Sequence, residues 1–273
     1  MKLGCAVSTY ETKFGPIVFK DGNIRENARL LEKYGYESVD LFIKDCGDDQ
    51  LWEYRELFAA RGIGIITLFA IYLGENGVTL AERNPQLRRR NVDMVKRQLD
   101  KANVLGAKGL GMGFVRGMHE ADETEEDALK RIAEALGKIG EYARSIGSCV
   151  LLEPINRYEV NTLNSAVKTA DFVRENHLDG VVLQPDMFHM NIEDGPIPEV
   201  LRYVHPLIGN MHISSSNRYA VGNGHFDFVP VLQTLQELGY DGPLTFEGFA
   251  QDAEQSIRQT AEAMRRFEAQ CGA

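Results

Sequence analysis

Short apolar runs alternate with longer amphipathic stretches along the whole chain. The apolar runs fall at residues 3–9 (LGCAVST), 38–43 (SVDLFI), 64–70 (GIITLFA), 108–114 (KGLGMGF), 149–155 (CVLLEPI), 181–188 (VVLQPDMF), 208–214 (IGNMHIS) and 243–249 (PLTFEGF). Near-continuous apolar character over so few residues is what parallel strands buried on both faces require. The stretches between them have helical spacing. Leu129, Ile132, Leu136, Ile139, Ala143 and Ile146 draw one apolar stripe, and Val92, Val95, Leu99 and Ala102 draw another. Thr124, with Asp127 three residues on, predicts a capped helix start. Gly35, Gly62, Gly106, Gly147 and Gly239 stand where predicted helices end, each suited to the left-handed position after a last turn. Eight strand–helix repeats predict an α/β fold, a (β/α)8 TIM barrel forming a single domain over residues 1–273, in preference to a doubly wound sheet.

Charge and cysteine content narrow the setting. A net charge of −10 argues against a general nucleic-acid or anionic-membrane surface, either of which needs a basic face. The one dense basic cluster, Arg88–Arg90, reads as a solvated helix face or an oligomer contact. Cys5, Cys46, Cys149 and Cys271 lie far apart, without CxxC or zinc-finger spacing, and predict a reducing, cytoplasmic compartment. The N-terminal MKLGCAVSTYE has too short an apolar run for a signal peptide, and no segment approaches a membrane span.

In a barrel of this kind the strand C-termini converge on one mouth, where the chemistry sits. The last four predicted strands each bring an ionisable group to that end: Glu153, Asp186, His212 and Glu247. Singly, each has a bland explanation. A glutamate can pair with a rim arginine, Asp186 can cap a turn, and His212 between Met211 and Ile213 can be a core histidine. Together they need a positive partner, because adjacent buried acids repel. A divalent metal supplies it. Three carboxylates and an imidazole without thiolate suit Mn²⁺, Mg²⁺ or Co²⁺, and disfavour a closed structural zinc site.

The segments LLEPINRYE (151–159), QPDMFHMNIED (184–194), MHISSSNR (211–218) and TFEGF (245–249) carry a resemblance. They are similar to the motifs of the D-tagatose 3-epimerase (ketose 3-epimerase) family, within the xylose isomerase-like TIM barrels of the sugar phosphate isomerase/epimerase superfamily. The match is densest from Cys149 to Phe249. It implies an isomerase that interconverts C3 epimers of a free ketose (tagatose-, psicose- or ribulose-like) and forms a homo-oligomer, dimer or tetramer. It also implies one divalent ion, commonly Mn²⁺, held by Glu153, Asp186, His212 and Glu247. Glu159 and His189 would contact the substrate's carbonyl end, and Arg218 a hydroxyl near the metal. Glu153 and Glu247 would act as base and acid on opposite faces of the sugar.

The chain also departs from that pattern. Ser214-Ser215-Ser216-Asn217-Arg218 replaces the family's Gly-Glu-Ala-Asn-Arg, Glu247-Gly248-Phe249 replaces Glu-Pro-Phe, and the following loop is shortened to Ala250-Gln251-Asp252. These differences leave the sugar's length and terminal group open.

Other readings stay in play. LLEPIN also fits an aldose–ketose or hydroxypyruvate-type isomerase working with one base. An endonuclease IV-like phosphodiesterase needs zinc-binding histidines on early strands, yet the first histidine here is His119. A noncatalytic sugar-binding barrel would have no need of both glutamates. GLGMGFVRG has the look of a dinucleotide loop, but its glycines fall in a predicted strand that does not lead into a helix. Gly222-Asn223-Gly224-His225 reads as a tight turn with a substrate phosphate left open, and His119, His177 and His205 as solvated.

Overall fold

All eight apolar runs become strands in the computed structural model, which describes residues 1–12 and 15–272. They are β1 (Leu3–Ser8), β2 (Ser38–Phe42), β3 (Gly64–Phe69), β4 (Gly109–Met112), β5 (Cys149–Leu152), β6 (Val181–Leu183), β7 (Met211–Ile213) and β8 (Leu244–Phe246). Every pairing is parallel, in the order β6-β5-β4-β3-β2-β1-β8-β7. The seam between β6 and β7 is closed by single parallel bridges, Leu183 to Ile208 and Asp186 to His212. There Gly209 N–H donates to the Leu183 carbonyl at 2.8 Å, and His212 N–H to the Pro185 carbonyl at 2.9 Å. The sheet is a closed barrel.

The helices are α1 (Ile24–Tyr34), α2 (Asp48–Ala59), α3 (Ile71–Glu75), α4 (Pro85–Leu105), α5 (Glu125–Ser145), α6 (Ala166–Glu175), α7 (Met187–Glu193), α8 (Ile197–Val204), α9 (Phe228–Glu237) and α10 (Ala253–Cys271). On α5 the predicted stripe is the packed face: Ile132, Leu136, Ile139 and Ala143 are buried, with Leu129 and Ile146 half-buried at its edge. Thr124 caps this helix as expected, its Oγ1 accepting from Asp127 N–H at 3.2 Å. All five helix-ending glycines have positive φ, between 68° and 80°. Arg89 and Arg90 are exposed on α4. No helix among the described residues is long and apolar enough to cross a membrane, and all four cysteines are free.

The predicted runs overshoot the strands at their C-terminal ends, and the reason is chemical. Residues 181–188 read as one strand, but the ladder stops at Leu183 and α7 starts at Met187. Asp186 ends the strand by accepting from Phe188 N–H at 2.8 Å, which satisfies one of the new helix's orphan donors. Glu153 and Glu247 likewise lie one residue past β5 and β8. Each is still tied by its own N–H to a neighbouring strand, to the Met112 and Ile213 carbonyls, both at 3.1 Å. The backbone stays in register while the side chains turn into the mouth. Gly113 also falls just past β4, where a three-residue turn, Phe114–Arg116, follows.

Candidate functional site

Four strand ends bring Glu153, Asp186, His212 and Glu247 together, all buried, with one ligand atom from each within 4.8 Å of every other. Oxygens bound to one divalent ion at ~2.0–2.6 Å stand at most roughly 4–5 Å apart, so the cluster has the size of a single-ion site. His212 Nδ1 tests the fit. It is buried without a hydrogen-bond partner, 3.6 Å from Glu153 Oε1 and 3.5 Å from Glu247 Oε2. An imidazole nitrogen without a hydrogen-bond partner beside two carboxylates is placed as a ligand, and the oxygen-rich set suits a hard ion.

Electrostatics follow from burial and crowding. Burial, reinforced by the charge of Glu247, raises the Glu153 carboxyl to about 7 against the pull of His212. Burial also lifts Asp186 to about 6 despite the nearby Arg218. Glu247 is buried too, yet the positive His212 and Arg218 outweigh desolvation and hold it below the usual carboxylate range. For His212, burial is outweighed by Glu247, Asp40 and Glu153, which keep it well above an ordinary imidazole. Without an ion, the cluster stores protons.

The three remaining predicted residues line the same space. Arg218 sits at φ 62°, a left-handed conformation unusual for a side chain of this size. Its Nη1 is 3.2 Å from Glu159 Oε1, while Nη2 reaches Glu247 Oε2 at 3.3 Å and Asp186 Oδ2 at 3.5 Å. The guanidinium also stacks 4.7 Å above the Phe188 ring. Gly248, where the family pattern has proline, lets this loop close. A Cβ there would come 2.8 Å from the Arg218 carbonyl. His189 is buried, and burial followed by the Arg218 charge pushes it well below an ordinary histidine, so it is neutral. Asn156 fixes its tautomer: Nδ2 lies 2.7 Å from His189 Nδ1 and the amide oxygen accepts from Tyr158 N–H. Nδ1 therefore accepts, and Nε2 carries the hydrogen.

A cavity of ≈ 240 Å³ opens over the cluster. Glu153, Glu159, His189, Arg218 and Glu247 are its polar lining, and Phe42, Phe69, Ile71, Phe114 and Ile155 its apolar lining. The glycines of GLGMGFVRG make room for it: a Cβ on Gly111 would meet Phe69 at 2.8 Å, and one on Gly113 would meet Glu153 Oε2 at 3.0 Å. The Gly222–Gly224 turn lies elsewhere, pinned by Ser215 Oγ accepting from Gly224 N–H at 2.8 Å and Ser216 Oγ from His225 N–H at 3.0 Å.

Two sets of supporting residues escaped the sequence reading. Arg116 is fully buried and donates to the carbonyls of Glu153 (2.7 Å), Gly113 and Thr162 (both 2.9 Å), clasping the loop that carries Glu153 and Glu159. Burial brings its pKa down to about 10. Beneath the cluster, Asp40, Thr67, Gln184 and Asn210 form a buried polar layer. Asp40, a carboxylate in the middle of the apolar run 38–43, was the available signal.

Comparison with known proteins finds sugar epimerases. The chain is 27% identical over 220 residues to an L-ribulose 3-epimerase of Mesorhizobium japonicum, covering 80% of this chain and 73% of that one. It is 26% identical over 252 residues to a 3-dehydro-D-guloside 4-epimerase of Escherichia coli, covering 89% and 94%, and 26% identical over 258 residues to a ketose 3-epimerase of Arthrobacter globiformis, covering 92% and 84%. A solved L-ribulose 3-epimerase structure superposes with a TM-score of 0.85 at 21% identity, covering 100% and 96% of the two chains, which establishes the shared fold. The model of the xylose isomerase-like TIM barrel matches residues 28–267, nearly the whole closed sheet and its helices. The resemblance read from four short motifs thus extends over the chain, which belongs to the xylose isomerase-like TIM barrel family.

Proposed function

We propose that the protein is a metal-dependent ketose 3-epimerase, with Glu153, Asp186, His212 and Glu247 holding one divalent ion, Mn²⁺ foremost. The observation that carries this reading is that Glu153 and Glu247, from the ends of β5 and β8, both reach His212 Nδ1, at 3.6 and 3.5 Å, and both line one cavity. Epimerisation beside a ketone removes a carbon-bound proton from one face and returns one to the other. Two carboxylates facing a substrate from opposite sides are the groups that chemistry requires.

The ion, when bound, supplies a Lewis acid that stabilises negative charge developing on the substrate's oxygens. The side chains do the rest. One glutamate takes the C3 proton, leaving an enediolate, and the other delivers a proton to the opposite face. The roles exchange with direction. His189 Nε2 and Arg218 Nη2 lie 3.2 Å apart and are both donors, so they cannot satisfy one another. Nη2 already donates to Glu247 and Asp186, so His189 Nε2 is the donor left for a substrate oxygen. Glu159, bonded to Arg218 and to Asn156 Nδ2 at 2.8 Å, holds the guanidinium and accepts from a hydroxyl. The apolar wall packs against the far carbons and excludes water.

The relatives' names support a common step. A 3-epimerase of a 2-ketose and a 4-epimerase of a 3-dehydro sugar both invert the carbon next to a ketone. The test is a panel of ketopentoses, ketohexoses and a 3-keto-glycoside, assayed with Mn²⁺ and with chelator, and scored by product identity. A C3 epimer formed from a free ketose only in the presence of metal is the expected result. An aldose product would transfer the reading to the one-base isomerase, and tight sugar binding without turnover to a binding barrel.

A further inference from the structure

We propose that Asp40 is a positioning residue of the metal centre, gripping His212 through Nε2 so that Nδ1 faces the ion; this rests on the reading of the four-residue cluster as a metal site. Asp40 lies on β2 and His212 on β7, strands separated by β1 and β8, so their contact crosses the barrel interior. Both are fully buried, with Asp40 Oδ2 3.1 Å from His212 Nε2. The same oxygen accepts from Asn210 Nδ2 at 2.7 Å and is approached by Gln184 Nε2 at 3.4 Å, while Oδ1 has no partner among the described residues.

Burying a carboxylate costs several kcal/mol, and this one leaves an oxygen unsatisfied. Asn210 and Gln184 do not explain it, because a neutral amide or hydroxyl at position 40 would serve them. His212 does. For Nδ1 to offer its lone pair to an ion, the ring hydrogen has to sit on Nε2, and an acceptor there sets tautomer, orientation and basicity. Gln184 lies closer, its amide nitrogen 2.7 Å from the same ring nitrogen and its own oxygen unpartnered among the described residues, but an amide serves either tautomer by turning over, here giving up its long approach to Asp40. An ionised carboxylate can only accept. Asp40 is therefore the group that holds the hydrogen on Nε2 and leaves Nδ1, which has no hydrogen-bond partner among the described residues, to face the ion.

The experiment replaces Asp40 by its isostere, Asp40→Asn, and titrates metal-free protein with Mn²⁺, without any turnover assay. The expected result is a Kd raised ~10–100-fold, with far-UV circular dichroism and metal-free Tm close to the parent. A merely structural Asp40 would lower the metal-free Tm and leave the Kd within about threefold of the parent, well short of a ligand-support effect, and that outcome overturns the proposal. Should Asp40→Asn fail to fold, nitrogen-15 NMR of the unaltered, Mg²⁺-loaded protein decides. The His212 hydrogen is expected on Nε2, and finding it on Nδ1 overturns the assignment. Neither readout depends on the sugar, so a protein that binds Mn²⁺ through this pair but epimerises nothing would refute the proposed function alone.

Discussion

The ends of β5 to β8 and the ends of β1 to β4 face each other across one cavity and share almost no chemistry. The later four deliver Glu153, Asp186, His212 and Glu247. The earlier four deliver Phe42, Phe69 and the glycines of β4, with Phe42 and Phe69 stacked at 4.4 Å. Ile17, Ile71 and Ala6 join those rings in an apolar cluster distinct from the main core. The contrast separates charge from shape: one half of the mouth carries the titratable groups, and the other presents an apolar wall. Substitutions on the two sides should accordingly fail in different ways.

The largest effects belong to the charged half. Glu153→Gln or Glu247→Gln is expected to lower net turnover by ~10²–10⁴-fold, measured as product formation at saturating metal, because each direction of the reaction needs both groups. Asp186→Ala and His212→Ala should abolish stoichiometric metal while the barrel stays folded, as metal analysis and thermal melts would show. Either variant holding a full equivalent of metal would break the ligand assignment.

Next come the groups proposed to touch substrate without belonging to the cluster. Arg218→Ala and His189→Ala should reduce kcat/KM by ~10–100-fold, the range for lost hydrogen bonds to charged groups, with metal content near normal. Wild-type efficiency in both would remove them from the site.

The proton-storing behaviour of the charged half predicts a pH dependence. Burial raises Glu153 to about 7 and Asp186 to about 6, above ordinary carboxylates. A raised carboxylate pKa means that the folded, metal-free protein holds protons the unfolded chain has released. The stability these protons confer is present at acidic pH and lost as pH rises through the folded values. Metal binding expels them, so the Mn²⁺ Kd should tighten by up to about tenfold per pH unit for each proton displaced as pH rises from about 5 toward 8, and go on tightening above until the proton that Glu247, Asp40 and Glu153 hold on His212 is lost as well. A Kd independent of pH over that window would contradict the arrangement.

The smallest effects belong to the apolar half. Phe69→Leu keeps an apolar side chain but loses the stacking on Phe42 and part of the wall. It should raise KM a few-fold and cost about 1 kcal/mol of stability, leaving the Mn²⁺ Kd unchanged. A loss of metal from this variant would show that the two halves are not separable.

The sequence exposed the charged half far better than its supports. Strands buried on both faces have to be apolar throughout, so an acid or a histidine at a strand end stands out. Asp40 shows the same kind of signal in weaker form, since one acid inside one run does not reveal what it meets across the barrel. Arg116 left none. Its partners are backbone carbonyls, which no pattern of side chains records, and only the folded loop 153–163 brings them together. The helices α3 and α7, five and seven residues long, are too short to show helical periodicity. Asp186 illustrates the overlap of roles, capping α7 while facing the cluster.

The central claim is that two carboxylates work on opposite faces of one carbon, and hydrogen isotope incorporation tests it most directly. The best ketose from the panel is converted in D₂O with Mn²⁺, and the product is analysed by NMR for the position of deuterium. The proton removed from C3 stays on one glutamate, and the proton returned comes from the other, which has exchanged with solvent. Product should therefore carry deuterium at C3 and none introduced at C1. Deuterium confined to C1, with an aldose as product, would contradict the two-carboxylate account and establish a one-base isomerase in its place.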